Sequence, residues 1–212
     1  MKPFKIVLVH VIVIACAVAA AGCATFDPLA TVPDLAVKND LRRYDETWFA
    51  AARLGRADIL GALVDARFPV DATTPEGYTA LILTAYNNRP AALDYLLRVG
   101  ANPCVGDRYG NTALMGALFK GETQIAKRLV DASCPIDQVN NAGQTALSFA
   151  ALFGRLELLP VLVAHGANPD HIDALGRTVL QNAILQGNDS AVALLERVGA
   201  TPNVDQTLRM RP

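Results

Sequence analysis

The residues able to do chemistry are few: four cysteines, three histidines and scattered serines among 212 residues. A zinc site needs three or four His, Cys or carboxylate ligands converging on one point. His10 falls in the apolar opening of the chain, His165 precedes Gly166 where a helix is predicted to end, and His171 falls in a predicted loop. An imidazole near the last carbonyls of a helix stabilises that end, which accounts for His165 without catalysis. No spacing brings His, Cys and a carboxylate together as ligands. Ser133, Ser148 and Ser190 lack the strand–turn–helix context of a nucleophile elbow. No glycine-rich loop suited to phosphate is present. The sequence therefore assigns no catalytic residue, no metal and no cofactor, and an enzyme is a distant alternative. Cys104 and Cys134 stand 30 residues apart. An oxidising compartment would permit a disulfide between them. The alternative, two buried thiols acting as small apolar groups, is the expectation, because disulfide geometry is demanding.

Cys23 has a different setting. Lys2 and Lys5 make a positive start, and Ile6 to Ala21 follow without a formal charge. Then comes Ala20-Ala21-Gly22-Cys23. A basic start, a short apolar run and small residues at its end predict a secretory signal over residues 1–22. The apolar run is shorter than the ~20 residues of a spanning helix. Small residues followed by Cys resemble the lipobox of bacterial lipoproteins. The resemblance implies a diacylglyceryl group on Cys23, cleavage before it, and a palmitate-type chain on the new amine. Ala20 stands where that family usually has Leu. Cleavage after Ala21, giving a soluble periplasmic protein, is the alternative. Ala24 is not the Asp associated with inner-membrane retention, so the outer membrane is expected. Two or three acyl chains hold a membrane stably where one does not. Residues 23–40, with Pro28 and Pro33, read as a lipidated tether.

The elements that would position any site come from a repeat. Gly77, Gly110, Gly143 and Gly176 recur every 33 residues, as do Thr79, Thr112, Thr145 and Thr178, and Leu81, Leu114, Leu147 and Leu180. A second glycine column runs Gly55, Asn88, Gly121, Gly154, Gly187, and a leucine column runs Leu63, Leu96, Leu129, Leu162, Leu195. Each unit reads as helix, turn, helix and extended loop. In one unit Thr112 caps the first helix, Gly121 ends it, and residues 122–130 form the second with Ile125, Leu129 and Val130 on one side. Pro90 suits a helix start. Pro160 falls inside a predicted second helix and should kink it. One unit cannot bury its apolar face alone, but stacked units can. Leu114 and Leu147 are expected between helices of adjacent units.

Gly-Asn-Thr-Ala-Leu at 110–114, Gly-Gln-Thr-Ala-Leu at 143–147 and His-Gly-Ala-Asn-Pro-Asp at 165–170 resemble ankyrin repeats. The resemblance covers about four-fifths of the chain. It implies an all-α repeat solenoid with β-hairpin fingers and a groove between fingers and first helices. Repeats fall at 74–106, 107–139, 140–172 and 173–202. A degenerate N-terminal cap at 41–73 is carried by Trp48-Phe49-Ala50-Ala51-Ala52 and Gly55, and a tail follows at 203–212. The family's Thr-Pro-Leu-His becomes Thr-Ala-Leu-Ile, -Met, -Ser and Thr-Val-Leu-Gln, so its linking histidine is absent and the stack should lean on apolar packing.

The family recognises partners with finger tips and the exposed ends of first helices. Carried over by register, that implies Tyr78, Tyr86, Arg108, Tyr109, Phe119, Lys120, Gln144, Leu152, Phe153, Leu175 and Arg177. Tyr86, Phe119, Leu152 and Phe153 should form an apolar patch bordered by Tyr109, Arg108 and Lys120, with a partner docked over Tyr86, Phe119 and Phe153 and Tyr109 closing over it. Aromatics with Arg are the usual composition of binding hot spots. The alternative is that these side chains only pack on neighbouring fingers. The net charge is −1, and without Lys2 and Lys5 the balance is 17 basic against 20 acidic residues. That mixture offers no electrostatic footprint for nucleic acid. The expectation is a monomeric, lipid-anchored, periplasm-facing module that supports or neutralises a protein partner. A passive structural or envelope-stress lipoprotein is the runner-up.

Overall fold

The computed structural model describes residues 42–202. The predicted signal, Cys23 and its tether, and the tail at 203–212 lie outside the described residues. A 3₁₀ turn at Arg42–Tyr44 leads into ten helices: α1 (Asp45–Leu54), α2 (Ala57–Asp65), α3 (Ala80–Tyr86), α4 (Pro90–Arg98), α5 (Ala113–Lys120), α6 (Thr123–Val130), α7 (Ala146–Leu152), α8 (Leu159–Ala164), α9 (Val179–Leu185) and α10 (Asp189–Arg197). They form five helix–turn–helix pairs. The first helices α1, α3, α5, α7 and α9 pack in chain order.

Four first helices begin with the same device. The Thr79, Thr112, Thr145 and Thr178 side chains accept hydrogen bonds from the backbone N–H of Ile82, Met115, Ser148 and Gln181 at 3.2–3.4 Å. Each cap contributes about 1 kcal/mol. Gly121 ends α5 in the left-handed region at φ 81°, and Asn88 takes the same role after α3 at φ 51°, which Asn tolerates better than most residues. Pro90 opens α4, as its ring and missing N–H favour.

The core is one continuous cluster. Leu81, Leu147 and Leu180 are buried, as are Leu96, Leu129, Leu162 and Leu195. Burying each such side chain contributes roughly 1.5–3 kcal/mol. At the N-terminal end Trp48 is fully buried against Phe68, ring centroids 5.0 Å apart, so the degenerate first pair closes the core. Leu114 departs from expectation: it is only half-buried, because it lines a small cleft beside Pro103, Cys134 and Ile136.

Between pairs the chain turns back in fingers, but no strand forms among the described residues. The only bridges described are isolated, Thr73–Thr79 and Ile172–Thr178. Polar side chains hold the turns instead. Oδ1 of Asp107 accepts the N–H of Tyr109 and Asn111, that of Asn140 the N–H of Ala142 and Gln144, and that of Asp173 the N–H of Leu175 and Arg177, all at 2.8–3.0 Å. The fingers then join tip to tip: Arg108 N–H donates to Glu76 O, Asn141 N–H to Tyr109 O, and Ala174 N–H to Ala142 O, at 2.9–3.0 Å. Gly143, at φ 70°, lies so close to the next finger that a Cβ would stand 2.6 Å from Ala174 N. Only glycine fits there.

The links between pairs are more polar than the missing histidine suggested. Arg89 Nε donates to Arg53 O and Arg155 Nε to Leu118 O, both 2.9 Å, satisfying carbonyls at the ends of α1 and α5. Pro160 does not kink a helix interior. The chain makes a 3₁₀ turn at Leu156–Leu158 and starts α8 at Leu159, placing Pro160 in the first turn, where no amide is needed. The expectation of unpaired thiols is wrong. Cys104 and Cys134 form a disulfide, Cα–Cα 5.4 Å, because the loops after α4 and α6 run side by side.

Candidate functional site

The helix ends and fingers carry the predicted binding residues. Tyr86 is the last residue of α3, Phe119 lies in the last turn of α5, and Phe153 follows α7. Their rings form a row. Tyr78 meets Tyr86 at 6.0 Å, Tyr86 meets Phe119 at 6.2 Å, and Phe119 meets Phe153 edge-on at 4.9 Å. Phe153 rests in turn on buried Phe149 at 5.5 Å. Edge-on and tilted pairs at these separations are the favoured aromatic geometries.

The members are not equivalent. Phe119 is exposed at 45%, while Tyr78, Tyr86 and Phe153 are half-buried. Tyr86 sits directly over Gly116, where a Cβ would strike its ring. Burial, helped by the neighbouring Tyr78 and Asp107, pushes the Tyr86 hydroxyl up to about 12. It stays neutral at physiological pH, so Tyr86 offers a ring and a hydroxyl, never a charge.

Tyr109 is placed on a finger beside this row. It is 53% exposed, and the Arg108 guanidinium lies 4.9 Å from its ring centroid. The two make a cation–π pair on their own finger. Lys120 is exposed at the end of α5, beside Phe119 in sequence.

Four other predicted residues meet elsewhere. Gln144, Leu152, Leu175 and Arg177 line one open cavity of about 320 Å³ between α7, α9 and the fingers before them, together with Ser148 and Asn182. Leu175 is 73% exposed at its rim. Asp173 is committed within the wall. Burial pushes its carboxyl up, but hydrogen bonds from Asn182 Nδ2 and from the backbone of Arg177 and Leu175 outweigh that and hold it below its usual range. Arg177 is half-buried, and its Nε has no hydrogen-bond partner. The predicted surface thus divides into an aromatic row and a cavity of mixed polar and aliphatic lining, which meet at the neighbours Leu152 and Phe153.

Sequence reasoning missed Ser148, Asn182 and Gly116. Asn182 had a readable signal: it occupies the register position of Leu83, Gly116 and Phe149, all buried, so a polar residue there marks a change of surroundings. Gly116 falls in neither glycine column and reads as a weak spot in a helix until Tyr86 is placed over it.

Among the described residues no group of three or more His, Cys, Asp or Glu could hold a metal, and no helix is long and apolar enough to cross a membrane. A family model described as ankyrin repeats (3 copies) matches residues 48–140 and 117–206. The chain is also similar to "Palmitoyltransferase AKR1" of Lachancea kluyveri, 30% identical over 73 residues, which is 34% of this chain and 10% of that protein. The chain spans about a tenth of that relative's length.

Proposed function

Because the chain belongs to the ankyrin-repeat family, we propose that it is a lipid-anchored, periplasm-facing module that binds a partner protein and supports or neutralises it. Ankyrin repeats generally mediate protein–protein interaction and are generally non-catalytic. The 10% overlap with the palmitoyltransferase carries no transferase activity to this chain. The observation that carries the reading is the aromatic row. A side chain as large as Phe119, 45% exposed and held by rings on both sides, is a preorganised anchor of the kind that dominates binding energy. Tyr78, Arg108, Tyr109 and Lys120 would border it. Gln144, Leu152, Leu175 and Arg177 would take polar and aliphatic groups of the same partner. The anchor rests on the resemblance of Ala20-Ala21-Gly22-Cys23 to a lipobox. The Cys104–Cys134 disulfide supports export, since such bonds persist in oxidising compartments.

The test is photocrosslinking in intact cells. A photoreactive residue at position 119 should trap one protein, and the same group at exposed Lys127 on α6 should not. Equal labelling from both positions would mean that the row is not a binding face. Intact mass would show acylated Cys23 or, against the anchor, a free Gly22 or Ala24 terminus.

A further inference from the structure

The disulfide occupies a position where the other junctions use a hydrogen bond. Asp71 Oδ1 accepts the N–H of Asn102 at 2.9 Å, Asp137 that of Asn168 at 3.0 Å, and Asp170 that of Thr201 at 2.7 Å. Each bond ties the loop of one helix pair to the loop of the next. The acceptors are spaced in register, and the missing member of the series is Cys104. The missing donor is residue 135, a proline, which has no N–H. At the junction of α3/α4 with α5/α6, acceptor and donor are both gone, and the Cys104–Cys134 bond spans the same two loops. Cys134 itself takes the place filled by Ala101, Ala167 and Ala200 in the other units. Beside the bond, Gln138 Nε2 donates to Cys104 O at 2.7 Å, a contact that needs no oxidant.

We propose that Cys104–Cys134 is a thiol–disulfide exchange site that makes the tie at this junction, unlike the other three, conditional on the thiol redox state. Both cysteines are only partly buried, so a dithiol can reach the bond. The exchange is balanced: a dithiol reductant gives two electrons and two protons, the Cys104–Cys134 S–S bond breaks to two thiols, and the dithiol closes to its own disulfide. The Tyr86–Phe119 ring contact crosses this same junction, so the bond's state acts on the helix pairs that carry the row.

The test compares the oxidised chain with the same chain treated with dithiothreitol, reading melting temperature and amide exchange. Reduction should lower the melting temperature by roughly 5–15 °C. Exchange should rise at residues 104–106, 133–134 and 136–138, while the amides of Asn168 and Thr201 stay protected. A second chain rebuilds the hydrogen bond of the neighbouring units: Cys104→Asp, Cys134→Ala and Pro135→Asn together. It should melt within a few degrees of the oxidised chain and ignore the reductant. Three outcomes would overturn the proposal: a bond that resists dithiothreitol until urea unfolds the chain, reduction that leaves exchange in both loops unchanged, or a folded rebuilt chain as weak as Cys104→Ser with Cys134→Ala.

Discussion

The aromatic row and the cavity beside it are adjoining surfaces built on opposite terms. In the row, ring lies on ring from Tyr78 to Phe149, and Gly116 leaves space for Tyr86. Around the cavity, Asp173, Asn182 and the finger backbone satisfy one another, and Arg177 keeps an unpartnered Nε. The row is set by packing, which transmits any change in volume. The cavity is set by hydrogen bonds, which respond to charge. A repeat gives the same backbone to both, so the difference comes wholly from side chains at matched positions.

The largest effect should come from the helix that serves both regions. Leu147 of α7 is fully buried, and Leu147→Ala should cost roughly 2–5 kcal/mol in urea melts. Leu152, on the same helix at 39% exposure, should cost under about 1 kcal/mol when cut to Ala. Equal losses would mean that the two faces of α7 are not distinct. Gly116→Ala is next. Its methyl would enter the Tyr86 ring, so it should cost about 1–3 kcal/mol, and near-ultraviolet circular dichroism should register the displaced rings. An unchanged spectrum and melt would show that the row is not supported there.

The smallest effect belongs to the cavity and is read through pH. The Asp173 carboxyl is held below its usual range in the folded chain. Its contribution to stability is therefore present above the ordinary carboxylate range and is lost as pH falls through the lowered value. Asp173→Asn should flatten the profile of melting temperature as pH falls from about 5 into and below the ordinary carboxylate range. Profiles that superimpose would mean that the carboxylate is not what holds the wall.

Much of this was legible in the sequence because repetition exposes what a single unit hides. The threonine column gave the helix starts, the glycine columns gave the turns, and the family resemblance named the helix ends that carry the row. What stayed hidden depended on how neighbouring units meet. Cys104 and Cys134 stand 30 residues apart, three short of the repeat, because the loop after one helix pair meets the loop after the next with a small offset, close to the offset that sets Asp71 against Asn102 and Asp137 against Asn168. The telling residues were the neighbours, Cys104 in the aspartate series and Pro135 where a donor is needed. Pro160 was misplaced because α8 starts late, after a 3₁₀ turn. The pairing of the Tyr109 ring with the neighbouring Arg108 guanidinium also stayed hidden, because register places a side chain on a finger but not the partner it stacks with.

The role of the aromatic row is read from stability and partner affinity measured on one set of variants, once photocrosslinking has identified the partner. Phe119→Ala should weaken binding by at least about 1 kcal/mol, and by over 2 kcal/mol if the ring is a central anchor. Its melt should fall by less than about 1 kcal/mol, since the side chain lies outside the buried core. Lys127→Ala should alter neither. If Phe119→Ala unfolds the chain while affinity per folded molecule is unchanged, the row is core and the binding surface lies elsewhere.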